Sequence, residues 1–184
     1  MKALIIIDLI NDIVVKRWYL EKLDKDFFEN ISKTIKNARE NWFLIIHVKV
    51  WFSENYENQP KNSPLFWKAH EFWILKLWSE WTEFYNKNDI EKTDIIIEKS
   101  RVNPFYKTAL NDILKKNNIT DIYISWIATD LAVSSCAREW HDLDYNITIL
   151  SDLCASINKE DHENELKVLK KICKIKTYLE ILLN

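Results

Sequence analysis

Ile122-Tyr123-Ile124-Ser125-Trp126-Ile127-Ala128-Thr129-Asp130-Leu131-Ala132-Val133-Ser134-Ser135-Cys136-Ala137-Arg138-Glu139 passes from an apolar β-branched run, through a short turn, into a segment with helical spacing. It reads as strand, turn and helix, and the rest of the chain repeats that alternation. Residues 3–8, 43–50, 94–97, 121–125 and 147–150 read as strands buried on both faces, and 174–178 as a sixth. Residues 24–39, 108–116, 130–141 and 159–171 carry helical periodicity between them. Strands alternating with helices imply right-handed crossovers, so the expected fold is α/β. It is a six-stranded, mostly parallel sheet with helices on both faces, in three layers, over one domain of residues 1–184. Residues 51–91 break the pattern: they hold Pro60, Pro64 and five tryptophans, and a stretch of that length is expected to act as a lid or binding loop.

The 184-residue chain has no glycine and nine tryptophans. Ordinary usage would supply roughly thirteen glycines, and glycine is the default wherever the backbone needs φ > 0. Several tryptophans stand where such a residue is expected. Trp42 follows Asn41 at a helix end, just before an apolar run, and Trp126 closes the run that opens the quoted stretch. Trp78 and Trp81 bracket a polar Ser-Glu pair. Tryptophan is normally chosen for its area and its N–H. The composition therefore implies UGA codons read as glycine in the source organism, an alternative genetic code; a tryptophan-rich domain that binds aromatic rings or sugars is the competing reading.

With 26 basic and 28 acidic residues, the chain carries no basic stripe of the kind that binds nucleic acid. The run Ala3-Leu4-Ile5-Ile6-Ile7 is too short to span a membrane and lacks a cleavage site, so it is expected to be a strand and not a signal peptide. Cys136, Cys154 and Cys173 form no framework spacing, which suits a reducing cytoplasm. The four histidines are scattered, and no metal or other cofactor is expected.

Sites in open parallel sheets form outside the carboxyl ends of the strands. Asp8 ends the first strand and Lys99 follows the third, in Ile96-Ile97-Glu98-Lys99-Ser100-Arg101. A carboxylate and an ammonium brought together tune each other's charge and can share proton transfer; apart, they are a solvated Asp and a snorkelling Lys. Thr129 is expected to cap a helix that begins near Asp130, with first-turn N–H groups forming an anion or oxyanion site.

The segments Ile5-Ile6-Ile7-Asp8-Leu9-Ile10-Asn11-Asp12, Glu98-Lys99-Ser100-Arg101 with Phe105, and Trp126 to Arg138 resemble, in order, the motifs of the isochorismatase-like hydrolases, and Ser151-Asp152 after the fifth strand completes the match. The resemblance implies a Rossmann-like fold, a small-molecule substrate, a homodimer or homotetramer, and an Asp-Lys-Cys triad with Asp8 and Lys99 as its first two members. It also implies glycine where Trp126 stands. At the position of the nucleophilic thiol this chain has Ala132. Cys136 lies one helical turn further on, either as a displaced nucleophile or as a small core residue. Nicotinamidases in this superfamily hold a metal with Asp-x-His after the second strand, where this chain has Val50-Trp51-Phe52-Ser53. Isochorismatases proper lack the thiol and use the aspartate as a general acid with water as nucleophile. The expectation is thus hydrolysis of a small polar metabolite, at a vinyl ether or an amide C–N bond. Asp8 would be the acid/base, Lys99 its electrostatic partner, and the turn Ile127, Ala128 and Ala132 the oxyanion site. The resemblance also makes Ile127–Ala128 a candidate cis peptide. Arg101 could hold a substrate carboxylate, with Phe105, Tyr106 and Phe52 as an apolar wall or as core. His47 is expected in the core, and His70 and His141 near the site or in solvent. A cysteine amidohydrolase using Cys136 and a non-catalytic binder on the same fold are the alternatives.

Overall fold

The computed structural model describes residues 1–15, 23 and 26–182. Its strands are β1 (Lys2–Ile7), β2 (Leu44–Val50), β3 (Ile95–Lys99), β4 (Asp121–Ile127), β5 (Asn146–Ala155) and β6 (Lys174–Lys176). They form one sheet in the order β3-β2-β1-β4-β5-β6, every pair parallel. The helices are α1 (Asn11–Val14), α2 (Phe27–Glu40), α3 (Leu110–Lys116), α4 (Ser134–Asp142), α5 (Lys159–Leu169) and α6 (Leu179–Leu182). The expected start of the second helix at Asp24 lies outside the described residues.

β1 shows why the sheet sits centrally. Its side chains alternate faces with period two. Ala3, Ile5 and Ile7 pack on α3 and α4 through Leu110, Leu114, Ala137 and Trp140. Leu4 and Ile6 pack on α2 through Ile31, Ile35 and Ala38. A strand buried on both faces needs the uninterrupted apolar run that the sequence supplies. Strand order reverses beside β1, so the carboxyl ends of β1 and β4 border a crevice.

Two boundaries differ from expectation. β5 continues through Ser151 and Asp152 to Ala155, where Cys154 and Ala155 pair with Trp126 and Ile127 of β4; the Ser151 hydroxyl donates to Lys176 O and the Tyr178 N–H to Asp152. The register slips there: Ile124 pairs with Ile149 but Trp126 with Cys154. The expected helix over residues 130–141 begins instead with one wide turn, Thr129–Val133, in which the Val133 N–H reaches back to Ala128 O.

Three helices end alike. After α2, α3 and α4 one residue turns left-handed: Trp42 at φ 62°, Asn118 at 49° and Asp144 at 66°. Each end is closed by the paired bonds of a Schellman motif, such as Phe43 N–H to Ala38 O at 2.9 Å and Trp42 N–H to Arg39 O at 3.1 Å. Asn and Asp tolerate this conformation, whereas a bulky side chain is strained in it. Trp73, Trp78 and Trp126 are left-handed as well, at 53°, 64° and 89°.

Segment 51–91 packs over the carboxyl end of the sheet. Phe52, Phe66, Leu75 and Phe84 join Ile10 and Val50 in a third apolar cluster.

Candidate active site

Asp8 is the first residue past β1, and its left-handed backbone (φ 61°) turns the carboxylate back over the strand ends while its N–H still pairs with Val48 O. Lys99, the last residue of β3, reaches across β2. Its ammonium donates to Asp8 Oδ2 at 2.6 Å and to Val102 O at 2.9 Å. Both side chains are buried, at 7% and 1% exposure. Asp8 Oδ1 has no hydrogen-bond partner among the described residues. Burial pushes the Asp8 carboxyl above the ordinary aspartate range, and the Lys99 ammonium pulls partly against it. The aspartate therefore holds its proton more readily than a solvated one.

Asp8 and Lys99 form the floor of a cleft of about 490 Å³, counting its open mouth. Ile127, Ala128 and Ala132 line one side, and the Ile127–Ala128 peptide is cis. Thr129 does not cap the helix as expected. It is wholly buried, and its hydroxyl pairs with His162 Nδ1 on α5 at 2.7 Å. The neighbouring Asp130 accepts from Ser156 Oγ at 2.5 Å. The turn is thus held from outside by α5 and the end of β5, and its local sequence could not reveal that.

Cys136 is one turn beyond Ala132, fully buried in the core among Ile5, Ile124 and Trp140. Burial pushes its thiol far above the usual range, which favours the protonated form over the thiolate.

Arg101 is turned away from the cleft. Its Nη1 donates to Asn58 O and Ser100 O, and its guanidinium lies 5.3 Å from the Tyr106 ring centre. Phe105 packs edge-on against Trp140, and Phe52 against Phe66. His47 sits in the core, 3.2 Å from Asp94, which Arg39 also binds at 2.7 Å. His70 meets the Gln59 amide, and the half-exposed His141 meets Asp142; neither lines the cleft.

Sequence reasoning assigned no role to Asp12, though it quoted the residue. Asp12 is 2% exposed and accepts the Leu75 N–H at 2.6 Å, which ties segment 51–91 down over the cleft. Four residues after Asp8 in an apolar run, a second carboxylate was the available signal. The apolar wall of Ile13, Leu65, Phe66, Leu75, Val102 and Leu131 was also missed, since these residues converge from segments with no common periodicity.

The residues at the nicotinamidase metal position do not fit a metal. Val50 and Phe52 are buried apolar side chains, and Trp51 and Ser53 offer neither carboxylate nor imidazole. Among the described residues no three His, Cys, Asp or Glu converge as a ligand set.

Residues 2–178 match the family model described as the isochorismatase domain. The ureidoacrylate amidohydrolase RutB of Acinetobacter baylyi is 28% identical over 83% of this chain and 69% of its own length. The isochorismatase family protein YaaI of Bacillus subtilis, itself uncharacterized, is 28% identical over 93% of this chain and 90% of its own. The crystal structure of an isochorismatase-like hydrolase from Alkaliphilus metalliredigens superposes with a TM-score of 0.80 at 21% identity, covering 99% of this chain and 97% of that one.

Proposed function

From a chain that belongs to the isochorismatase family, we propose a hydrolase of a small molecule in which Asp8 moves the proton and water, not a thiol, is the nucleophile. The observation that carries this reading is the buried Asp8–Lys99 pair at 2.6 Å, with Ala132 at the thiol position.

Asp8, in its raised-pKa acid form, donates a proton to the substrate atom that gains electrons as the bond breaks. Lys99 steadies the carboxylate left behind. Water adds to the electron-poor carbon, and the proton it sheds returns to Asp8. One water is consumed and the carboxyl ends as it began. Backbone N–H groups of the turn at Ala128 and Ala132 are the candidates for holding a developing oxyanion. The chemistry suits an enol ether or an activated amide. The test is turnover of such compounds by wild type, Asp8→Asn and Cys136→Ala, with and without a thiol-alkylating reagent. Loss in Asp8→Asn alone supports water attack. Loss in Cys136→Ala, or on alkylation, overturns it.

We also infer that tryptophans in this chain stand where the source organism's own translation inserts glycine. Of the nine, Trp18 lies outside the described residues, and four of the other eight have left-handed φ. Trp42 occupies the helix-terminal position that glycine favours, and Trp73 closes a run of turns in the same way: the Ile74 N–H reaches back to Ala69 O at 3.2 Å, as Phe43 does to Ala38 O after α2. Trp78 is the third residue of a turn closed by Ser79 N–H to Lys76 O at 3.3 Å, where φ > 0 calls for glycine. Trp126 sits at the strand irregularity beside the site. UGA codons at these positions, with glycine in peptides of the natively made protein, support the inference. UGG codons there, or tryptophan in those peptides, refute it.

A further inference from the structure

We propose that the cleft above Asp8 and Lys99 selects uncharged molecules with a small apolar group beside the scissile bond and excludes carboxylates. This substrate class rests on the hydrolase reading above.

Among the described residues, the only ionisable side chains lining the cleft are Asp8 and Lys99, and they are bonded to each other. Every other lining residue is aliphatic, aromatic or alanine. Leu65, Phe66 and Leu75 from segment 51–91 line it together with Val50 from β2, Val102 from the loop after β3 and Leu131 from the site turn. A substrate carboxylate would have to shed its water into this wall, which is strongly unfavourable without a counter-charge. Lys99 is bound to Asp8 Oδ2 at 2.6 Å and to Val102 O at 2.9 Å, which leaves at most one of its three N–H donors for a ligand. Arg101, the cation the sequence offered for this purpose, is held by two carbonyls and the Tyr106 ring.

The apolar wall is built to stay. The Asp12 carboxylate grips the Leu75 N–H at 2.6 Å, and Phe66 stacks edge-on against the buried Phe52 at 5.4 Å. An uncharged ligand gains from this wall what a charged one loses. Among the described residues no tryptophan lines the cleft, and the nearest in sequence, Trp126, supports it from behind by donating its indole N–H to Asp8 O at 3.2 Å. The cleft also favours product release where hydrolysis creates an acid, because the new carboxylate meets the same unwelcoming wall.

The experiment uses matched pairs of simple amides and enol ethers, each pair differing only in a terminal methyl or carboxylate. For wild type, kcat/KM is expected to be at least about 100-fold higher for the methyl member of each pair, in line with leaving a buried charge unpaired. Leu65→Arg, which sets a cation at the half-buried mouth, is expected to narrow that ratio. Equal or better turnover of the carboxylates by wild type overturns the proposal. Ligand-induced thermal stabilisation by the same pairs is read independently of turnover. If nothing turns over but only the methyl compounds stabilise the protein, the hydrolase reading fails and the ligand class stands. Stabilisation by the carboxylates, or by none of the compounds, overturns the ligand class as well.

Discussion

Replacing Trp42, Trp73 and Trp78 together by glycine is expected to stabilise the chain, the reverse of what loss of three large aromatic side chains ordinarily does. All three are left-handed, and all three are exposed, at 88%, 67% and 86%. Little packing is therefore lost. Relief of the left-handed conformation contributes roughly 1–2 kcal/mol per site, and the freer unfolded chain that glycine brings takes back about 0.4–1 kcal/mol per site. The Trp73 ring also lies 5.0 Å from the Lys76 ammonium, an exposed contact worth roughly 0.5 kcal/mol. The net is about 2 kcal/mol in favour of the triple variant, a rise in Tm of roughly 4–8 °C for a chain of this size. Thermal unfolding followed by circular dichroism reads it. Trp67→Gly is the control: Trp67 is exposed but not left-handed, so its replacement brings no relief. Trp126 is kept out of the set, because its indole is wholly buried against Phe27 and Phe28. Burying that ring contributes about 5 kcal/mol, which would mask the strain it carries. A triple variant no more stable than the parent, or an equal gain in Trp67→Gly, would refute the reasoning.

Asp8→Asn is expected to lower kcat/KM by about 10²–10⁴-fold while Cys136→Ala leaves it within a few-fold, as steady-state kinetics on a turned-over substrate would show. Because the Asp8 pKa is raised, the acid form persists above the usual aspartate range and activity should fall as pH rises through that higher value; a wild-type profile that instead rises there contradicts an acid role. Burial lowers the His47 pKa from 6.5 despite Asp94, with Arg39 opposing and Asp89 favouring protonation. The unfolded chain then binds a proton that the fold refuses, so stability should drop as pH falls below about 6.5, by up to roughly 1.4 kcal/mol per unit. His47→Gln should flatten that slope in denaturant titrations, leaving the share of the partly buried His162, whose pKa burial also lowers. Asp12→Ala strands the buried Leu75 N–H and is expected to cost about 1.5–3 kcal/mol and raise KM more than it lowers kcat, whereas an unchanged KM would separate Asp12 from the cleft wall.

The parallel sheet was legible because its signal is local. β1 needs five consecutive apolar residues to be buried on both faces, and the chain writes Ala3 to Ile7 in one run. The positions of Asp8 and Lys99 were legible for a related reason: a polar residue at the carboxyl end of a buried parallel strand has few places to be except the crevice. What stayed hidden depends on partners far along the chain. The wide turn at Thr129–Val133 is fixed by His162, 33 residues on. The extension of β5 pairs with Trp126 and Ile127 of β4, and its Ser151 and Asp152 side chains meet Lys176 and Tyr178. The cleft wall exists because Asp12 holds Leu75 across 63 residues.

The glycine deficit joins these two kinds of evidence. Composition alone could mean a chain that avoids left-handed turns, yet α2, α3 and α4 all end in one. Two of those ends use Asn118 and Asp144, residues whose short polar side chains suit that conformation. The third makes the same pair of hydrogen bonds around Trp42, whose indole is 88% exposed and contributes nothing to the turn. A side chain selected for its area would be buried, and one selected for the turn would be small. Trp42 is neither, so the position makes physical sense for a residue without a side chain.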